Sequence, residues 1–238
     1  MRFEVLCIFP DMVKDAFQTG VTGRASGEGL ISIDTVNIRD YSTNSYGSID
    51  GYTYGGGAGM VMQCEPVYAA YCEALKRLDK KPGQVRVVYM TPVGHVFNQA
   101  RAEEFAKEEE LIFLCGHYEG IDERVIDEIV TDRISIGDYV LTGGEVSALV
   151  VMDAVSRLIP GVLHNDESAT TESFGADGLL EYPQYTRPDV WHDKEVPKVL
   201  LSGDHLKVDQ YRMREMRRVT REYRPDLYEE YMRKRGIN

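Results

Sequence analysis

The chain has 238 residues, 43% of them hydrophobic, enough to build one large domain or two modest ones. Its net charge of −12 counts against nonspecific nucleic-acid binding, where a basic balance is expected. The charge is unevenly spread, however: residues 206–238 carry ten Lys and Arg against six Asp and Glu, leaving −16 on the rest. A basic tail on an acidic body places an anionic partner locally.

In chain order, residues 2–9, 30–38, 84–90, 111–115 and 133–136 are short runs rich in Val, Ile, Leu and Phe, as buried strands are. Glu4 and the Pro10–Asp11 stop make the first run a strand rather than a signal peptide. Residues 66–78 place Val67, Ala70, Tyr71, Ala74 and Leu78 on one helical face, and 99–109 read as a polar surface helix. Residues 144–159 are apolar on most sides, which predicts a buried helix, too short and too interrupted by Asp153 and Arg157 to span a bilayer. This alternation predicts a mostly parallel α/β sheet over residues 1–160, covered on both faces. At 161–176 (GVLHNDESATTESFGA) apolar periodicity stops, predicting an exposed, mobile connection. Residues 177–238 are expected to form a small all-helical domain, with helices over 207–223 and 225–235 and Pro225 in a first turn. Cys7, Cys64, Cys72 and Cys115 form no C-x-x-C pair and have no His at ligand spacing, which predicts buried, reduced thiols and no metal site. The expected location is the cytoplasm, with no membrane partner.

Neither common nucleotide fingerprint is present: no G-x-x-x-x-G-K-[ST] occurs, and no G-x-G-x-x-G follows a strand. YGGGAGM at 54–60 lies in a Gly- and Tyr-rich stretch without strong strand character. IGDYVLTGGE at 136–145 carries Asp138 and Glu145 and no cation, which disfavours phosphate. A ligand gripped by main-chain groups, such as an adenosine moiety, suits it better, because glycines let the backbone approach a flat ring closely. The alternative is a tight strand-to-helix turn through Gly143 and Gly144, with Glu145 favouring the helix N-terminus. LCGHYEGIDERV at 114–125 ends a strand and opens a polar loop. With Thr91–Pro92 and 136–145 it would meet at the rim beyond the strand C-termini, where open α/β sheets bind ligands. Asp122, Glu123 and Arg124 read more simply as solvated helix-start charges.

YGGGAGM, CGHYEGIDERV, SIGDYVLTGGE, AVSRLIPGVL, ADGLLEYPQYTRP and LSGDHLKVDQYR stand in this order along nearly the whole chain. In them the chain resembles the bacterial tRNA (guanine-N1-)-methyltransferases of the SPOUT class. The resemblance implies an α/β fold with a mostly parallel sheet and a deep C-terminal trefoil knot, a departure from the rule that chains stay unknotted. It implies methyl transfer from S-adenosyl-L-methionine to N1 of the guanosine 3′ of the anticodon (guanosine 37). It also implies a homodimer whose active site is shared between chains, a tRNA anticodon stem-loop as partner, and Mg2+ in the reaction without a protein-only site. Alternatives are a SPOUT methyltransferase of another RNA, such as rRNA, and a noncatalytic RNA-binding protein.

Residue by residue, the resemblance makes Tyr89, Met90, Thr91, Pro92, Cys115, Gly116, Tyr118, Ser135, Ile136, Gly137, Asp138, Tyr139, Val140, Leu141, Gly143 and Gly144 the donor pocket, with backbone groups of Ile136, Tyr139 and Leu141 on the adenine. A cationic sulfonium donor suits a mildly acidic pocket. The guanine N1 proton requires a base, matched to Asp177, and charge growing on O6 requires a cation, matched to Arg157, while Glu119 orients donor or guanine. Read without the resemblance, Arg157 complements a helix dipole and Asp177 caps a helix over 178–180. Tyr54, Gly55, Gly56, Gly57 and Gly59 are expected to meet the RNA. Arg212, Arg217 and Arg218, with Arg214 and Arg221, are expected to grip its phosphates. The chain departs from the family pattern at 50–53 (DGYT), at Ala58 and at His117.

Overall fold

Side-chain alternation along β1 (Arg2–Cys7) sets up two cores. Phe3, Val5 and Cys7 join one buried cluster, whereas Leu6, with Ile8 just beyond the strand, joins another on the opposite face. Around β1 stand β2 (Ser32–Asn37), β5 (Arg86–Val96), β6 (Glu110–Cys115) and β7 (Asp132–Ser135). The sheet order is β2-β1-β6-β5-β7, and every pairing is parallel. Helices α3 (Cys64–Leu78) and α5 (Glu123–Ile129) cover one face; α1 (Pro10–Ala16), α2 (Gly20–Gly27), α4 (Gln99–Phe105) and α6 (Glu145–Ser156) cover the other. These details come from a computed structural model that describes residues 1–163 and 172–236.

In α3, the apolar residues predicted on one face are buried, and the helix ends at Asp79, whose φ of 55° cannot continue it. Helices α1 and α2 carry no clear sequence signal, because seven or eight residues give too few turns for a period to emerge, and α2 also contains three glycines. The glycine-rich 54–60 stretch is the turn of a hairpin between β3 (Asp50–Tyr52) and β4 (Met60–Met62), so its last residue is strand after all. Cys7 and Cys115 are buried thiols as expected, but Cys72 is exposed, since it lies on the solvent side of α3.

The chain divides into two units, Met1–His164 and Asn165–Asn238. Of the connection expected at 161–176, residues 164–171 lie outside the described residues. Val162 is fully buried in the core of the first unit, and its carbonyl accepts a hydrogen bond from Arg24 at 2.6 Å. In the second unit α7 (His205–Tyr223) and α8 (Pro225–Lys234) pack together. That unit is not all-helical: an irregular stretch follows Leu179, and β8 (Val190–Trp191) pairs with β9 (Lys194–Glu195). Pro183 and Pro188 explain this correction, because each lacks an amide donor and pushes the preceding residue out of helical geometry.

Glu4 is the costly residue in the sheet. It is 1% exposed on β1, its Oε2 has no hydrogen-bond partner, and its nearest cation, Arg77, stands 3.8 Å away. Burial, with Asp34 adding to it, pushes the carboxyl from 4.5 up to about 7. Because the folded value lies above the unfolded one, the penalty is absent at acid pH and complete only above about 7. At about 1.4 kcal/mol per unit it reaches on the order of 3 kcal/mol. Glu4→Gln should therefore raise the melting temperature more at pH 8 than at pH 5. Equal gains at both pH values, in thermal denaturation, would contradict this.

Candidate active site

The C-terminal ends of β6 and β7 and the middle of β5 open onto a cavity of about 310 Å³. One wall exists because β5 leaves the sheet and returns: Met90 and His95 both pair with Ile134 of β7. The excursion between them places Thr91, Pro92 and Val93 on the cavity. It closes through Gly94, where a Cβ would stand 2.6 Å from the Arg133 carbonyl carbon and the Ile134 nitrogen.

The opposite wall is the 116–120 loop after β6. Tyr118 sits there in the left-handed region at φ 59°, a strained conformation for a residue of its size. This loop is tied to the β3–β4 hairpin: Glu119 N–H donates to the Met60 carbonyl at 3.0 Å and Met62 N–H to the Gly120 carbonyl at 2.9 Å. Gly59 lies against Glu119, so a Cβ there would stand 2.5 Å from Oε1. The hairpin therefore delivers the exposed Tyr54 and the turn glycines to the edge that Glu119 occupies.

The floor is the 135–144 segment leading into α6. The Gly144 N–H donates to the Gly116 carbonyl at 3.0 Å, and Ser147 Oγ donates to the Gly144 carbonyl at 2.8 Å. Glu145 opens α6 but does not face the cavity. Its Oε2 lies 2.6 Å from His117 Nε2, and its Oε1 accepts the Ile8 N–H at 3.3 Å. This buried carboxylate thus clasps the end of β1, the 116–120 loop and the helix start. The His117 ring fills the space a Gly143 Cβ would need and meets Phe9 edge-on at 5.3 Å. The expectation that Asp138 and Glu145 make the pocket acidic is thereby corrected. Asp138 is exposed outside the lining, Glu145 is consumed by the clasp, and Glu119 is the carboxylate among the described lining residues. Burial, reinforced by the charge of Glu145, pushes the nearby Cys7 thiol up to about 12 and raises Cys115 as well. Neither thiol is a nucleophile at neutral pH.

The model of the family described as tRNA (Guanine-1)-methyltransferase TrmD matches residues 1–230. The chain belongs to this family. It is 56% identical to the tRNA (guanine-N(1)-)-methyltransferase of Lachnospira eligens, with 98% of each chain covered. It is 50% identical to the enzyme of that name from Clostridioides difficile, over 96% of this chain and 97% of that one.

Of the residues matched to the donor pocket, Tyr89, Thr91, Pro92, Gly116, Tyr118, Ser135, Ile136, Gly137, Tyr139, Val140, Leu141 and Gly143 line the cavity of this tRNA (guanine-1)-methyltransferase family member, as does Glu119. Met90, Cys115 and Gly144 lie buried behind its wall, and Asp138 faces solvent. His117, Gly120 and Thr142, which fall inside the expected 114–125 and 136–145 rim segments, also line it, as do Val93, Ile134 and Ser147, which were not expected. Thr142 sits inside a quoted motif, whereas Val93 owes its place to the β5 excursion, which leaves no sequence signal.

Arg157 is not brought to this cavity. It follows α6, ten residues beyond Ser147 and about 15 Å further along the axis at 1.5 Å per residue. Asp122 is a helix-start residue as the simpler reading holds: it caps α5, and Arg124 grips its carboxylate, holding it well below the usual carboxylate range. In the second unit Arg214, Arg217, Arg218 and Arg221 line one groove on α7. Arg212 departs from them, lying over the Tyr182 ring at 5.0 Å. Asp177 lies in a turn rather than at a helix start, and its Oδ1 accepts a bond from Arg235 Nη2 at 2.9 Å. Among the described residues, no helix is long and apolar enough to cross a membrane, and no group of three His, Cys, Asp or Glu is placed to hold a metal.

Proposed function

We propose that the chain transfers a methyl group from S-adenosyl-L-methionine to N1 of the guanosine 3′ of the anticodon in tRNA, in the cytoplasm. The observation that carries this reading is the family match over residues 1–230. The cavity supports it. Gly137 and Gly143 line it beside Ile136, Tyr139 and Leu141, whose main-chain groups are the ones an adenine edge would meet in this reading. Glu119 supplies a carboxylate for a cationic donor. When bound, the donor supplies an electrophilic methyl carbon on sulfur. In this reading Asp177 accepts the N1 proton as the nitrogen attacks, and Arg157 opposes the charge that builds on O6.

A homodimer accounts for the position of Arg157. Val146 and Val150 are exposed apolar residues on α6. Asp153 and Arg157 follow at helical spacing on that same face, so a second copy seated there would take Arg157 to its own cavity. The deep trefoil knot and the division into a donor-binding body and an RNA-binding tail belong to the same reading. The groove of Arg214, Arg217, Arg218 and Arg221 then meets anticodon-stem phosphates, and Tyr54 with its glycine turn meets the loop. Labelled donor and anticodon stem-loop transcripts test the proposal. Transfer is expected with guanosine 3′ of the anticodon and not with adenosine there; equal transfer to both would overturn it.

A further inference from the structure

The turn carrying Asp177 is anchored within its own unit. Phe174 N–H donates to the Leu179 carbonyl at 2.8 Å, Gly178 N–H to the Gly175 carbonyl at 2.8 Å, and Leu179 is buried. Leu180 N–H donates to Thr220 Oγ1 at 2.9 Å, and Thr220 is itself fully buried on α7. The other partner is equally well placed. Arg235 stands at the end of α8, with its guanidinium over the Tyr231 ring at 5.0 Å. Tyr231 is 3% exposed and also holds Arg217 of α7, whose Nε donates to its hydroxyl at 3.1 Å. One buried ring thus seats two arginines, one lining the groove and one on Asp177.

The Asp177–Arg235 pair is too exposed for its purpose to be stability, because ion pairs at such sites contribute about 0–1 kcal/mol. Its geometry suggests another use. The arginine engages Oδ1 and leaves Oδ2 to accept a proton, and a base must be correctly placed before its basicity counts. We propose that Arg235, seated on Tyr231, is a positioning residue for Asp177 in methyl transfer. The inference rests on the reading above, in which Asp177 is the base. It gives the last helix a part in the chemistry, and it makes Tyr231 a shared anchor for the base and for a phosphate-facing arginine.

The test is single-turnover methyl transfer at saturating S-adenosylmethionine and stem-loop RNA, alongside separate affinities for each. Arg235→Gln should slow the chemical step by roughly tenfold to a hundredfold, the scale of a misplaced reacting group. Both affinities and the melting temperature should stay near those of the parent, and Arg235→Lys should recover part of the rate. In an Asp177→Asn background, Arg235→Gln should add no further loss, because it acts through the carboxylate. A full rate at saturation with weakened RNA binding would make Arg235 a phosphate contact and overturn the proposal. An equal further loss in the Asp177→Asn background would overturn it as well. If Asp177→Asn itself keeps the full rate, the base assignment fails instead, and the two failures are told apart.

Discussion

Asp177→Asn should slow methyl transfer by about 10²–10⁴-fold, the usual contribution of a positioned general base, while S-adenosylmethionine still binds as in the parent. The expectation follows from what the reaction demands. N1 of guanine holds a proton at neutral pH, so attack on the methyl carbon needs an acceptor for it. Asparagine keeps the shape of the side chain and can still take a hydrogen bond from Arg235 through its carbonyl oxygen. The turn closed by Gly175–Gly178 and Phe174–Leu179 should therefore stand. Donor affinity should be untouched because the residues matched to the donor all lie in the first unit, whereas Asp177 is assigned to the guanine proton. Single-turnover rates and donor titrations separate the two effects. Undiminished turnover in the asparagine variant would remove Asp177 from the mechanism.

Gly144→Ala should damage the cavity proposed to hold the donor more than its size suggests. The backbone there is ordinary, at φ −81° and ψ −15°, so the penalty is one of space rather than strain. A Cβ would stand 2.6 Å from the Cα of Cys115 and 3.0 Å from the Gly116 nitrogen. Those atoms belong to the end of a central strand and cannot turn aside as a side chain tip would. Relief requires the 143–145 segment to lift, which lengthens the Gly144–Gly116 hydrogen bond and pulls Glu145 from His117. Overpacking of this kind costs about 1–3 kcal/mol, with roughly 1 kcal/mol more for the lost hydrogen bond. A lower melting temperature and donor affinity weakened by at least about tenfold are expected together. Gly27→Ala is the control, since nothing lies within 4 Å of its Cβ position. Parental stability and affinity in Gly144→Ala would show that the close approach is not required.

Much of this cavity was legible because it is local. The segments 115–118 and 135–144 stand at the ends of β6 and β7, 89–92 stands where β5 leaves the sheet, and a parallel sheet gathers such points on one edge. The parallel sheet itself was legible in the alternation of buried runs and helical patterns. Relations between distant residues were not. Nothing about Glu145 alone says that its charge is spent on His117 and the Ile8 amide rather than facing a ligand. The excursion of β5 depends on Gly94 meeting the Arg133–Ile134 backbone, a contact spanning some 40 positions. The Asp177–Arg235 pair joins residues 58 apart, with the β8–β9 hairpin and both helices of that unit between them. Arg157 was singled out by its motif, but helix geometry carries it away from the cavity of its own chain. In each case the missing information was tertiary, and residue identity alone could not supply it.

The most direct test is the identity of the methylated nucleoside. Stem-loop RNA incubated with the protein and labelled S-adenosylmethionine is digested to nucleosides and separated against synthetic standards. The label is expected in 1-methylguanosine, mapping to the guanosine 3′ of the anticodon. Label in a ribose methyl, in another guanine nitrogen, or at another position would contradict it.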